Sequence, residues 1–376
     1  MDSVAVAGAA GFIGSHVVER LREEGLDVVC LDRPGADLGW ARALGARSAL
    51  VDLRDGRAGA EALAGARLVV NATGLFDLGA SPRALEEANV EVTRAVAGAA
   101  RRAGARRLVH LSSVAVYGLP ARAPLGEEGP FRPRNAYERS KLAGERAAIA
   151  EHGSCLEVVA LRPTLVYGPR ARYGHAMMIA LAAQARALGV RVVPLPGGGP
   201  LGHHVHVRDV AEAVRLALFA PDAAGRALNV ADARPLPVGD SMRAIARAFG
   251  LRAVGPRGSW RLLRRLPRRL SAAALARLNL RLARGHRALE RRTGRDLLCP
   301  RLDPDWLGYF GHAHVYDTAR LAALGFVPRH ADFARSIEAV VDWYRASGWL
   351  PTPPPAAATA PRRAPSRTPA AESVTP

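Results

Sequence analysis

The chain has 376 residues, 49% of them hydrophobic, and carries a formal net charge of +19 from 53 Lys and Arg against 34 Asp and Glu. That length holds a full core and fits two domains, or one domain with a large appendage. The excess charge is local: between Arg252 and Arg301, fifteen arginines face only Glu290 and Asp296, and Trp260 is the single aromatic among them. Nucleic acid is therefore excluded as a partner, because it would call for stacking residues or a binding module beside the charge. Cys30, Cys155 and Cys299 are far apart and odd in number, with no CxxC pair and no metal-ligand spacing. They suggest buried thiols in a reducing compartment, and no metal site is expected. The chain opens directly on "SVAVAGAAG", without a charged leader and a long apolar stretch, and nowhere carries a run of about 18 apolar residues. The expectation is a soluble, cytoplasmic protein.

In chain order, strands are expected at Ser3 to Ala7, Val28 to Asp32, Ser48 to Asp52, Arg67 to Ala72, Arg107 to Ser112 and Val158 to Leu161. Helices are expected at His16 to Glu24, Pro82 to Ala103 and Ala136 to Glu151. Strands separated by helices of this length build βαβ units, so the fold class is α/β, a doubly wound parallel Rossmann sheet. Past Pro163 the alternation weakens through "VPLPGGGPLGHH", and a helix at Asp209 to Ala220 and a strand at Ala227 to Val230 follow. The expected organisation is a dinucleotide-binding domain over 1–165, joined again by 203–232. A smaller, mainly helical C-terminal substrate lobe covers 166–202 and 233–349, and a disordered tail rich in Pro and Ala covers 350–376.

Gly8, Gly11 and Gly14 follow the first strand and open the first helix. Glycines there permit a tight turn, let the backbone approach a pyrophosphate, and leave a helix N-terminus free to bind it. The second strand ends in Asp32, where a carboxylate can accept from both ribose hydroxyls, which favours NAD. Arg33 follows directly and can meet a 2′-phosphate, so NADP stays open. Asp52, after the third strand, is placed either to reach the adenine edge or as a surface turn.

Lys141 is the only lysine in the chain, and it lies four residues after Tyr137 on an expected helix, so both side chains share one face. An ammonium is a compact point charge on a flexible stem, whereas guanidinium is a planar fork. Lowering a phenol from near 10 to near neutrality takes roughly 3 to 4 kcal/mol. A unit charge about 4 Å away supplies on the order of 4 kcal/mol at an effective dielectric of about 20. One ammonium suffices on that arithmetic, and it can also donate to the nicotinamide ribose.

The ordered motifs "GAAGFIG", "VDLRD", "NATG", "NVEVT", "LSSVAVYG", "YERSK", "LRPTLVYGP" and "HVHVRDVAEA" resemble those of an extended short-chain dehydrogenase/reductase, in the NAD-dependent epimerase/dehydratase superfamily, over roughly 3–349. The resemblance implies Ser113, Tyr137 and Lys141 as catalytic residues with Asn89 as a fourth. It also implies cofactor contacts from Gly8, Gly11, Phe12, Ile13, Gly14, Asp32, Arg33, Asp52, Leu53, Asn71, Ala72, Thr73, Gly74, Tyr137, Lys141 and Pro163. Many relatives carry His where this chain has Asn71.

Substrate class stays divided. Sugar-nucleotide relatives typically carry Arg four residues before the His of the "HV-x-D" segment, and this chain has Gly202 there. The closing segment from "YFGHAHVYD" onward and "NATGLFDLGA" are similar to the 3β-hydroxysteroid and sterol dehydrogenase branch. The resemblance thus implies a hydrophobic secondary alcohol or ketone as substrate, with an epimerase or dehydratase that retains NAD as the alternative. A catalytically silent dinucleotide-binding regulator is a third class, disfavoured by the complete triad. Between Trp260 and Arg284, Leu262, Leu263, Leu266, Leu270, Leu275, Leu278 and Leu282 recur near helical spacing among arginines, with Pro267 placed to start a second helix. A basic amphipathic stretch of this kind reads either as a peripheral contact with the inner membrane surface through 260–284 or as a lid over the substrate cleft. A homodimer is the expected assembly.

Overall fold

The computed structural model describes residues 3–120, 122–256 and 271–351. Seven strands form the central sheet: β1 (Ser3–Ala7), β2 (Asp27–Asp32), β3 (Arg47–Leu50), β4 (Leu68–Asn71), β5 (Arg107–Leu111), β6 (Glu157–Pro163) and β7 (Ala227–Val230). All pair in parallel, in the order β7-β6-β5-β4-β1-β2-β3. The strands are almost continuously apolar because helices cover both faces of the sheet. Val4 and Val6 point into one core with Val17 and Leu21 of α1 (Phe12–Glu23) and Val210 and Val214 of α5 (Val207–Phe219). Ala5 and Ala7 point the other way, toward Val96 and Ala100 of α2 (Val92–Arg102).

The chain winds outward from β1 to β3, then crosses back to β4 and winds outward the other way. A crevice opens at the reversal between β1 and β4, outside the carboxyl ends of the strands, which is where such sheets bind ligands.

A second core joins α4 (His175–Ala187), α6 (Val238–Ala248) and α8 (Phe333–Ala346) through Ile179, Ile245, Phe333, Ile337 and Val341. Two short ladders accompany this lobe, Val192–Pro194 with Arg252–Val254 and Leu201–Gly202 with Leu236–Pro237. The helix expected from Pro82 to Ala103 is broken by a π-helical segment at Glu87–Glu91. Cys30 is buried as expected, but Cys155 and Cys299 are exposed, since they fall in a turn before β6 and in a loop after α7 (Ala272–Thr293). The leucines at 262, 263, 266 and 270, Pro267 and the tail from 352 lie outside the described residues. No helix among the described residues is long and apolar enough to cross a membrane.

Candidate active site

The loop after β1 wraps tightly over the neighbouring strand end. Gly8 has φ +78, and a Cβ there would meet the backbone of Ala72 and Thr73 at 2.8 Å. A Cβ on Gly14 would lie 2.1 Å from the Gly8 carbonyl oxygen, so α1 could not sit this close to the loop. α1 starts without a side-chain cap, which leaves its first-turn N–H groups available to an anion. At the end of β2, the Asp32 carboxylate accepts from the backbone N–H groups of Ala10 and Arg33, both at 2.8 Å. The loop, Asp32 and the strand-end segment Ala72 to Gly74 therefore form one cradle.

That cradle opens into a cavity of about 970 Å³ lined by Gly11, Phe12, Ile13, Ala72, Thr73, Gly74, Asn89, Ser113, Tyr137, Lys141 and Pro163 among others. The backbone shape and the uncapped helix end fit a dinucleotide. Gly11, Phe12 and Ile13 would hold the pyrophosphate, Asp32 the adenine ribose, and Lys141 and Pro163 the nicotinamide end. When bound, the nicotinamide accepts or returns a hydride. Some expected contacts are placed otherwise. Asn71 is buried away from the cavity, accepts from Thr73 N–H at 3.1 Å and lies 3.2 Å from His110 Nδ1, so it shapes the loop. β3 ends at Leu50, two residues short of expectation, and exposed Asp52 sits in the following turn paired with Arg54 at 2.7 Å. Leu53 is buried in the core beside α2, and Arg33 is exposed.

Tyr137 and Lys141 lie in the first turns of α3 (Ala136–Ile149), capped by Asn135, whose side chain accepts from Glu138 N–H at 2.8 Å. Ser113 follows β5, its hydroxyl accepts from Ala115 N–H at 3.1 Å, and it lines the cavity with Tyr137. Lys141 donates to the Leu111 carbonyl oxygen at 2.8 Å, which leaves two ammonium protons for other partners. Burial lowers Lys141 to about 8, partly offset by the Glu145 carboxylate one turn on. Burial pushes the phenol up to about 12, against the pull of the Ser113 hydroxyl and with the help of the Glu138 charge. The ammonium is held on the Leu111 carbonyl oxygen, and desolvation sets the direction of the phenol's shift. The protonated phenol is suited to donate a proton to a ketone oxygen beside Ser113; the reverse step requires it to be lowered. Asn89, in the π-helical segment, accepts from Leu75 N–H at 2.8 Å and donates to the Leu75 carbonyl and the Ser140 hydroxyl. It ties the loop after β4 to α3.

Several contributors were not legible in sequence. Phe76 packs edge-on against Tyr137 at 4.9 Å and against Tyr173 at 5.8 Å. Tyr309 donates to the buried Glu138 carboxylate, fastening the C-terminal segment to the start of α3. Arg162 in β6 holds Glu145 with two bonds of 2.8 and 2.6 Å and donates to Tyr117 Oη at 2.7 Å. Asp209, from the quoted "HVHVRD", accepts from Arg329 and His330 N–H, both at 3.0 Å, and anchors the approach to α8.

Residues 4–231 match the model of the NAD dependent epimerase/dehydratase family. The chain is 33% identical over 168 residues to sterol demethylase protein B of Methylococcus capsulatus, a match spanning 44% of this chain and 51% of that protein. It is also 33% identical over 266 residues to a UDP-glucose 4-epimerase of Mycolicibacterium smegmatis, spanning 65% of this chain and 82% of that one. Among solved structures it resembles the Thermus thermophilus UDP-glucose 4-epimerase complex with NAD at a TM-score of 0.66 and 26% identity, covering 92% of this chain and 99% of the other.

Proposed function

The chain belongs to the NAD-dependent epimerase/dehydratase family, and within it we propose that it is a dehydrogenase or reductase acting on a secondary alcohol or ketone of a hydrophobic substrate. Ser113 holds the substrate oxygen, Tyr137 removes or returns its proton, and Lys141 keeps the phenol and the nicotinamide ribose in place. The observation that carries this reading is the cavity wall beyond the cradle. It is built from Leu75, Phe76, Met178, Ile245, Phe310 and Trp343, and of its two arginines one is held in an ion pair and the other lies on a ring. Arg170 is paired with Glu19 at 2.6 Å, Arg172 stacks on Trp349 at 4.4 Å, and Gly202 stands where sugar-nucleotide relatives carry Arg. A diphosphate brought into such a site meets few charge-assisted bonds to offset its desolvation. The sterol-processing relative supports the same substrate class.

The second reading, a nucleotide-sugar epimerase with retained NAD, is favoured by the longer match to the Mycolicibacterium enzyme. Calorimetric titration of UDP and UDP-glucose into the NAD-loaded chain separates the two. The dehydrogenase reading expects no measurable heat from either; micromolar binding of UDP-glucose would overturn it.

A further inference from the structure

The cavity has a second polar feature besides the Ser113, Tyr137 and Lys141 group. His175 is the first residue of α4, and His204 opens the short strand His204–His206, which pairs in parallel with Leu165–Tyr167. Their ring centroids are 4.8 Å apart, and both rings lean on Phe333, at 5.2 and 4.7 Å. Both line the cavity, yet they are only 5% and 3% exposed. Among the described residues, Nδ1 of His175 and both ring nitrogens of His204 lack a hydrogen-bond partner, as does the buried hydroxyl of Thr164, which also lines the cavity. The neighbouring His203 differs: its Nδ1 accepts from Tyr316 N–H at 3.1 Å, so its ring has a structural task.

A buried polar group left without a partner costs roughly 1 to 3 kcal/mol. Four such atoms sit on side chains that line the cavity, each with almost no accessible surface of its own, so a partner that arrives with the cavity's contents reaches them through a turn of the rings and the hydroxyl. The chemistry of that partner is constrained. Burial holds His175 down at about 3 and His204 well below its ordinary value, so both rings are neutral near pH 7. Each neutral imidazole offers one N–H donor and one acceptor nitrogen. That set suits a hydroxyl or a carbonyl and gives no counter-charge to a carboxylate or phosphate.

We propose that His175 and His204 form a second recognition point in the cavity, which binds a neutral oxygen function, a hydroxyl or a ketone, on an apolar substrate whose reacting alcohol lies at Ser113 and Tyr137. The inference rests on the hydrophobic-alcohol reading above and narrows it: the substrate carries at least two oxygens. His175 and His204 are specificity residues and take no part in proton or hydride transfer.

The test uses two steroid alcohols with one skeleton: epiandrosterone, which has a ketone at the far end from its 3β-hydroxyl, and androstan-3β-ol, which lacks it. Dissociation constants on the NAD-loaded full chain and kcat/KM by NADH formation are measured for wild type, His204→Leu and His175→Leu. In wild type epiandrosterone should bind and turn over roughly tenfold better or more, and each variant should lose most of that ratio by weakening epiandrosterone alone. Because leucine replaces an unpartnered buried ring, the melting temperature without steroid should hold or rise. Equal constants for the two steroids in wild type, or variants that weaken both alike with a lowered melting temperature, would overturn the proposal and leave the imidazoles a structural role. Binding without turnover would sink the dehydrogenase reading while the ratio of dissociation constants still decides the subsite. Failure of both steroids to bind would sink the two together.

Discussion

Removing the Glu145 carboxylate should damage the chain in two separable ways. Arg162 and Glu145 are 4% and 3% exposed and joined at 2.6 Å. The guanidinium also donates to the Glu127 carbonyl oxygen at 2.6 Å and lies beside the stacked Tyr117 and Phe131 rings, 5.1 and 5.0 Å from their centroids. Burial works against the charge on Arg162, but the Glu145 and Tyr117 contacts together outweigh it and raise its pKa. Glu145→Gln keeps the shape and leaves a buried guanidinium without its counter-charge, a loss expected to cost about 3 to 5 kcal/mol. Against a typical total of about 5 to 15 kcal/mol, most of the protein stays folded and can be assayed. Urea unfolding at pH 7 reads the loss as a lower midpoint with an unchanged slope. Glu145 is also the group that holds the Lys141 pKa up against burial, so in the variant the ammonium titrates below about 8 and the pH profile of turnover shifts to lower pH. The double variant Glu145→Gln with Arg162→Met should recover much of the stability, because no buried charge is left unpaired. A Glu145→Gln chain within 1 kcal/mol of wild type, by the same unfolding measurement, would refute the reasoning.

Tyr137→Phe and Lys141→Arg should each lower kcat by orders of magnitude with little change in the urea midpoint; near-full activity in Lys141→Arg would show that any cation serves there. The Asp232 carboxyl is 1% exposed with no hydrogen-bond partner for either oxygen among the described residues, and burial raises it from 3.8 to about 7. Its favourable contribution is complete below pH 3.8 and is lost as pH rises through about 7, so Asp232→Asn should match wild type near pH 4 and exceed it above pH 7, by on the order of 4 kcal/mol at most. Equal melting temperatures across that range would contradict the burial argument. On α7, Arg277, Arg281, Arg284, Arg287 and Arg291 are exposed, follow one another at helical spacing and form no ion pair among the described residues. At about 1 kcal/mol per residue near an anionic surface, this stripe should bring the chain to phosphatidylserine vesicles at low salt. Changing the five to Gln should abolish sedimentation; sedimentation unchanged in that variant would leave α7 as part of a lid.

What the sequence made legible follows from range. β1 and β7 were located to the residue, because a short apolar run bounded by turn residues records burial on both sheet faces within five residues or fewer. The glycine loop and the Tyr137–Lys141 pair were legible for a similar reason, since their spacing within one turn of chain encodes the geometry. The π-helical break at Glu87–Glu91 was not, as nothing in "EANVE" opposes a continuous helix; a Cβ on Gly144 of α3 would lie 2.1 Å from the Asn89 carbonyl oxygen, which shows how closely the two helices meet there. The upward pull of burial on the Tyr137 phenol was not legible because charge proximity can be read from spacing, while desolvation depends on what covers the ring, and Phe76 lies 61 residues away. His175 and His204, and Tyr309 with Glu138, meet only through tertiary folding, so no local pattern could pair them.

The central proposal is that this chain moves a hydride between NAD and a secondary alcohol or ketone of a hydrophobic substrate and releases the cofactor in its changed state, whereas an epimerase would keep its NAD through the cycle. The oxidation direction gives the simplest readout. The most direct measurement is net NADH formation with excess NAD, comparing a panel of sterols and steroid alcohols with UDP- and dTDP-sugars, and with Tyr137→Phe as the blank. The account predicts NADH accumulating in many-fold excess over enzyme with a sterol or steroid alcohol, no signal from the sugar nucleotides, and none from the variant. Conversion of a sugar nucleotide to its epimer with no net NADH, and no reaction with any sterol, would contradict it.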